Sequence, residues 1–352
     1  MITLPEGVPV LAICGYRDAG KTTLIEAVLP ELAHRGLHVA VIKHDTHGLQ
    51  VDRPGKDSAR LFEAGADVWL HGPGEGFFRM HESAPVGLQG ALEVLAPRYD
   101  LILVEGHKDT PLPRIWLPGP NGTDPPPLGP APLAVLPRDG HRPRRLMDFL
   151  AEWLPAQWQA APLYGCILIG GRSRRMGRPK QLLTQGGKSW AEHLAAVLGS
   201  ACRQVVFAGS GPLPPALDEY PRLPDCPDAQ GPLAGILAAM RWAPQASWLV
   251  CACDMPGFHE DALQWLLARR RPGRWAILPR LPGAAGIEPL GAYYDLRLRP
   301  MLEIQAQSKR WRLQDLMDLP KIETPPVPEA LAAAWRNLNH PEDLPEESKG
   351  SE

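Results

Sequence analysis

Two stretches of this chain gather residue types that grip phosphate. The first, Gly15-Tyr16-Arg17-Asp18-Ala19-Gly20-Lys21-Thr22, has the spacing GxxxxGK[ST]. Its glycines let backbone amides turn toward anionic oxygens, Lys21 reaches the terminal phosphates, and the Thr22 hydroxyl can hold Mg²⁺. Gly15, Asp18, Ala19, Gly20, Lys21, Thr22 and Thr23 are the candidate nucleotide-binding residues here. The second stretch, Leu168 to Lys180, packs three glycines and five basic residues into thirteen positions after an apolar run. It lacks the first motif's spacing. Gly170 and Gly171 allow close backbone approach, while Arg175 and Lys180 can neutralise a triphosphate.

Carboxylates follow both loops. Glu105 ends the apolar run Leu101–Val104, where an acid would contact a metal through water, although a strand-end Glu can also simply face solvent. The polar cluster Ile42–His47 also follows an apolar run, and ligands bind outside the carboxyl ends of strands in open parallel sheets. That cluster reads equally well as a solvated turn. In the second half Asp225 precedes Gly231-Pro232-Leu233-Ala234-Gly235-Ile236, and Asp254 follows the apolar run ending at Cys253. Alone, Asp254 is as often a cap or turn residue. Beside a basic cradle it becomes a hard-oxygen ligand for Mg²⁺, which would bridge phosphates and offset charge on departing pyrophosphate.

These loops need strands to end on and helices to begin. In the first half apolar runs at Val8–Cys14, Val39–Ile42, Asp67–Leu70 and Leu101–Val104 alternate with helical spacing at Lys21–His34 and Ser58–Ala64. Continuous apolar runs separated by helices predict a parallel sheet covered on both faces. Pro111–Pro132 is dense in proline and glycine and reads as a surface loop, because Leu133–Leu136 and a helix over Pro143–Trp158 still follow. The pattern restarts with strands at Tyr164–Ile169, Gln204–Ala208, Ser247–Cys251, Trp275–Pro279 and Leu290–Tyr294. Helices are expected at Ser189–Leu198, Leu233–Trp242 and Asp261–Arg270. Two α/β domains result, 1–158 and 163–345, with the boundary near Gln159–Leu163 and a charged tail after Leu344.

The 352 residues suit two cores, and a formal charge of −2 gives no bulk attraction to nucleic acid or anionic membrane. No apolar run reaches the roughly 18 residues of a spanning helix, and the N-terminus has no signal pattern, so a cytoplasmic protein is expected. Six cysteines without a paired CxxC set read as reduced structural thiols.

Gly15–Thr23, Ile42–His47, Val51–Ser58 and Leu101–Gly106 together resemble MobB, the molybdopterin-guanine dinucleotide biosynthesis adapter family, over roughly residues 5–156. The resemblance implies a P-loop NTPase-like domain that binds GTP, assists a guanylyltransferase, hydrolyses little by itself and usually dimerises. Leu168–Lys180, Asp225 before GPLAGI, Cys253-Asp254-Met255-Pro256 and Asn337–Leu344 resemble MobA, the molybdenum cofactor guanylyltransferase family, over about 163–345. That resemblance implies a Rossmann-like nucleotidyltransferase using GTP and Mg²⁺. By it, Leu168, Gly170, Gly171, Ser173 and Lys180 would hold GTP, Asp225 would contact the nucleoside, Asp254 would bind Mg²⁺, and Asn339 would contact molybdopterin. Ile169 stands where the family has alanine, Ala208-Gly209-Ser210 lacks an asparagine common in relatives, and His340 replaces threonine.

The implied reaction is attack of the molybdopterin phosphate on the α-phosphorus of GTP, with Lys180, Arg175 and Asp254 as catalytic residues. The alternatives are a molybdopterin cytidylyltransferase, a sugar-nucleotide pyrophosphorylase, and a GTP-dependent cofactor-delivery factor without transferase activity. The Gly170-Gly171 pair and the fused adapter favour guanine. The implied partners are a molybdenum insertion factor, a molybdoenzyme or its chaperone, and a second copy through the adapter domain.

Overall fold

The computed structural model describes residues 2–4, 6–43, 53, 55–81, 87–120, 122, 125, 130–170 and 179–339. The first half runs β1 (Val10–Cys14), α1 (Lys21–His34), β2 (Val39–Lys43), α2 (Asp57–Glu63), β3 (Val68–Gly72), β4 (Glu75–Arg79), α3 (Gly87–Leu95), β5 (Leu101–Glu105), β6 (Arg114–Trp116), β7 (Ala134–Val135) and α4 (Arg142–Gln159). Five strands pair in parallel in the order β2-β5-β1-β6-β7. All of β1 is buried, as are Leu101 to Val104 of β5, which explains their unbroken apolar runs.

Two expectations are corrected here. The stretch expected as a surface loop, Pro111–Pro132, contains β6, whose Ile115 and Trp116 are fully buried and whose register sets Ala12 beside Arg114. Three strand residues led by an arginine leave no periodicity to detect. Asp67–Leu70 also does not enter the main sheet. Val68 opens β3, which pairs antiparallel with β4 in a separate two-stranded hairpin.

The second half runs β8 (Leu163–Leu168), β9 (Thr184–Gln185), β10 (Lys188–Ser189), α5 (Trp190–Gly199), β11 (Gln204–Ala208), β12 (Arg222–Leu223), α6 (Pro232–Trp242), β13 (Ser247–Ala252), α7 (Glu260–Leu267), β14 (Ala276–Ile277), β15 (Ala292–Tyr294), α8 (Arg299–Gln307) and β16 (Ile322–Glu323). Seven strands order as β12-β11-β8-β13-β15-β14-β16, parallel except for β15. Ser189 starts α5 with a capping box, accepting from the Glu192 amide at 3.1 Å while Glu192 accepts from the Ser189 amide at 2.7 Å. No described helix is long and apolar enough to cross a membrane.

The halves meet across a buried polar junction. Asp100, fully buried, accepts from the His38 amide at 2.7 Å, Trp275 Nε1 at 2.7 Å and Lys321 Nζ at 2.6 Å. Arg297, 1% exposed, donates to the Tyr99 and Gly7 carbonyls at 2.8 Å each and to Asp295 at 2.6 Å, over the Trp158 ring. Asp100 and Gly7 lie just before β5 and β1, and Lys321 just before β16. Asp295 follows antiparallel β15 and hydrogen-bonds to Ser247, the first residue of β13. The sheets therefore abut at the amino ends of their parallel strands, and their carboxyl ends point apart. From Asp100 to Glu105 and from Ser247 to Asp254 the chain climbs roughly 40 Å of strand in total.

Candidate nucleotide-binding sites

At the carboxyl end of the second sheet, β8, β11 and β13 deliver their last residues to one cleft of about 470 Å³. Leu168, Ile169, Gly170, Lys180, Asp225 and Asp254 line it, together with Gly231, Pro232 and Gly235 from the start of α6. Gly170 has φ +104, and a Cβ there would lie 3.0 Å from the Ser210 carbonyl oxygen, so only glycine fits this turn without strain. The α6 N-terminus adds amides and a positive dipole end to the cleft wall, favourable to phosphate.

Lys180 Nζ donates to Asp254 Oδ2 at 3.0 Å and to Asn339 Oδ1 at 2.7 Å. The Leu338 amide, in turn, donates to the Asp254 carbonyl at 2.9 Å, fastening the C-terminal segment to the strand end. Two hard oxygens thus converge on one cation, a donor set that also suits Mg²⁺. No described group of three or more His, Cys, Asp or Glu gathers as a metal cage, so phosphate and water oxygens would complete the coordination. The Asp225 carboxylate sits over α6, where a Cβ on Gly235 would be 3.5 Å from Oδ1, and burial raises its pKa above the usual range. Burial also pushes the neighbouring Cys253 thiol up to about 12, leaving it a neutral wall residue.

The first loop occupies the carboxyl end of the other sheet. Gly20 (φ +83) precedes α1, a backbone angle that disfavours side-chain-bearing residues. Lys21 Nζ folds back onto the Gly15 and Tyr16 carbonyls at 3.1 and 2.9 Å. Thr22 Oγ1 donates to Glu105 Oε1 at 2.8 Å, and Lys43 Nζ lies 3.7 Å from the other Glu105 oxygen. Threonine hydroxyl and carboxylate are hard oxygens of the kind that a nucleotide-bound Mg²⁺ would take. Thr23, Asp18 (φ +60) and Ala19 flank them.

Sequence reasoning gave no role to Arg142. Its guanidinium donates to the Ala19 carbonyl at 2.7 Å, Pro118 at 2.8 Å, Leu136 at 3.1 Å and Pro137 at 2.8 Å. It fastens the phosphate loop to the turns after β6 and β7. Only its place beside Pro143 at a helix start hinted at this. Gly171, Ser173 and Arg175, the His44–His47 cluster, part of Val51–Ser58 and the chain from His340 onward lie outside the described residues.

Two family profiles match the chain. "MobA-like NTP transferase domain" covers residues 165–322, and "Molybdopterin guanine dinucleotide synthesis protein B" covers 10–129. A molybdopterin-guanine dinucleotide biosynthesis adapter protein of Haemophilus influenzae is 37% identical over 44% of this chain and 94% of its own length. A probable molybdenum cofactor guanylyltransferase of Deinococcus radiodurans is 32% identical over 53% of this chain and 93% of its own. A molybdenum cofactor biosynthesis bifunctional protein of Synechocystis is 35% identical over 31% of this chain and 32% of its own length. The chain therefore joins in one polypeptide a member of the MobB adapter family, at its N-terminal side, and a member of the MobA-like guanylyltransferase family, at its C-terminal side.

Proposed function

We propose that residues 163–345 transfer GMP from GTP to molybdopterin, giving molybdopterin-guanine dinucleotide and pyrophosphate, while residues 1–158 bind a second GTP as an adapter. The observation that carries the transferase reading is Lys180, Asp254 and Asn339 meeting at a cleft that the N-terminus of α6 also lines. Leu168, Gly170 and the α6 start cradle the nucleotide, with Asp225 on the nucleoside side. Lys180 leaves Asp254 for phosphate oxygens when GTP enters. Mg²⁺ held by Asp254 would supply charge neutralisation on the triphosphate.

An oxygen of the molybdopterin phosphate attacks the α-phosphorus. That P–O bond forms as the bond from the α-phosphorus to its bridging oxygen breaks, and pyrophosphate carries away the electron pair. The attacking group is already anionic, so no side chain need act as base or covalent nucleophile. Lys180 and the α6 amides hold the triphosphate in line and stabilise the leaving charge. In the adapter half, Lys21 and the loop amides hold the terminal phosphates, and Thr22 and Glu105 are the residues that would hold Mg²⁺, which would supply charge neutralisation there.

The exposed apolar hairpin, with Trp69 64% and Phe78 47% exposed, supports an adapter-mediated homodimer. A molybdenum insertion factor, molybdoenzyme or chaperone would receive the product in the cytoplasm. Parallel turnover with GTP and CTP on molybdopterin tests the central reading. Faster dinucleotide formation from GTP is expected, and preference for CTP would replace it with cytidylyl transfer.

A further inference from the structure

The loop that carries Asp225 into the cleft is held from behind by one side chain outside the cleft. Arg241, in the last turn of α6, donates from Nη1 and Nη2 to the two oxygens of Asp228 at 2.8 and 2.7 Å. Nη1 also reaches Cys226 Sγ at 3.4 Å, so a single guanidinium contacts both residue 226 and residue 228 of the loop. From its other side it donates to Glu303 of α8 at 2.9 and 2.5 Å. Beside this clamp the Cys226 amide meets the Ala234 carbonyl at 3.3 Å, and the Cys226 and Ala229 side chains pack into the core with α6, so the guanidinium is the polar tie from the helix to the loop's exposed Asp228. Asp225 carries the carboxylate at the cleft, one residue before this clamp.

We infer that Arg241 is a positioning residue for GTP: it fixes the Asp225 loop against α6 so that the Asp225 carboxylate is set in place before the nucleoside arrives. The inference rests on the transferase reading of the cleft. A planar guanidinium can grip Asp228 and Glu303 in two forks at once, and a lysine ammonium at the same place offers only a point charge. The loop arm and the helix arm serve different ends. The Asp228 arm orders the nucleoside contact, and the Glu303 arm anchors the guanidinium to α8.

The test compares Arg241→Met, Arg241→Lys, Asp228→Asn and Glu303→Gln in the full chain. Steady-state GMP transfer should show KM for GTP raised about tenfold in Arg241→Met and in Asp228→Asn, with kcat changed less than about twofold, since a charge-assisted contact to bound nucleoside is loosened. Arg241→Lys should fall between wild type and Arg241→Met. Glu303→Gln should lower the melting temperature while raising KM for GTP by less than about threefold. Direct titration of GTP into the same variants, with the first loop disabled by Lys21→Ala, reads the cleft without turnover and should show the same order of affinities. That arm separates the two claims: if wild type binds GTP in the cleft yet makes no dinucleotide, the transferase reading fails while the clamp stands. Unchanged KM and unchanged cleft affinity in both Arg241→Met and Asp228→Asn overturn the inference. Asp228 is exposed, so its variant retains the fold even if Arg241→Met does not.

Discussion

Replacing Asp100 with alanine probes what unites the halves. In the wild type the Lys321 ammonium, whose side chain is 6% exposed, rests on the Asp100 carboxylate and the Gly36 carbonyl. Asp100→Ala leaves that charge buried with the carbonyl and the Trp275 ring face but no counter-ion, and strips an acceptor from Trp275 Nε1 and the His38 amide. Removing one partner of a buried ion pair costs about 3–5 kcal/mol. At roughly 2–4 °C per kcal/mol for units of this size, the melting temperature should fall by about 6–20 °C. Replacing both charges should do less harm, because no uncompensated ion remains, and Asp100→Ala with Lys321→Met should recover at least half of the loss. Differential scanning calorimetry of wild type, single and double variants gives the comparison. A single variant within about 1 kcal/mol of wild type, or a double variant no better than the single, would show that the buried pair does not hold the halves together.

Further outcomes follow from the two sites. Equilibrium binding of a non-hydrolysable GTP analogue with Mg²⁺ should reach two per chain, with one lost in Lys21→Ala and the other in Lys180→Ala. A stoichiometry of one in wild type contradicts two separate sites. Thr22→Ala should weaken adapter nucleotide binding about tenfold in Mg²⁺ and much less in EDTA, because a metal ligand is lost. Asp225, exposed at the cleft, has its folded pKa raised by partial desolvation, so its stabilising contribution is complete below the unfolded value near 4 and is lost as pH rises through the folded value. Ligand-free Asp225→Asn should accordingly gain stability over wild type as pH climbs through the carboxylate range, while its GTP affinity falls. A gap that shrinks with rising pH would reverse the sign. Burial raises all six thiols, Cys14 to about 11 and Cys202 to about 12. The five buried thiols should react with an aromatic disulfide reagent at pH 8 only after denaturation, Cys202 being half-buried, and rapid native titration of more than one thiol would contradict the burial.

The strands and helices that hold the two loops were legible because their chemistry is local. Gly20 must open α1 at positive φ, Gly170 must turn beneath Ser210, and Leu101–Val104 must be apolar on both faces of a parallel sheet. What escaped depends on contacts distant in sequence. Arg142 reaches Ala19 across 123 positions and Lys321 reaches Asp100 across 221, and neither leaves a pattern near itself. β6 is short and led by an arginine, and β3 leaves the sheet through pairing with β4, a partner no expectation included. Asn339 was expected on molybdopterin through resemblance alone, and the structure places its side chain on Lys180.

The opposed orientation of the sheets gives the loops separate surroundings. Leu168 to Gly170, Asp225 and Asp254 face one end, and Lys21, Thr22 and Glu105 face the other. Among the described residues, those lining the transferase cleft all belong to the C-terminal half, and those around the first loop to the N-terminal half.

The most direct test supplies the purified chain with molybdopterin, Mg²⁺ and GTP labelled at the α-phosphorus. Label is expected in a molybdopterin dinucleotide, with one pyrophosphate released per label transferred and both lost in a folded Asp254→Ala variant. Label remaining in GTP or GDP with inorganic phosphate as the released product, or full transfer by Asp254→Ala, would contradict it.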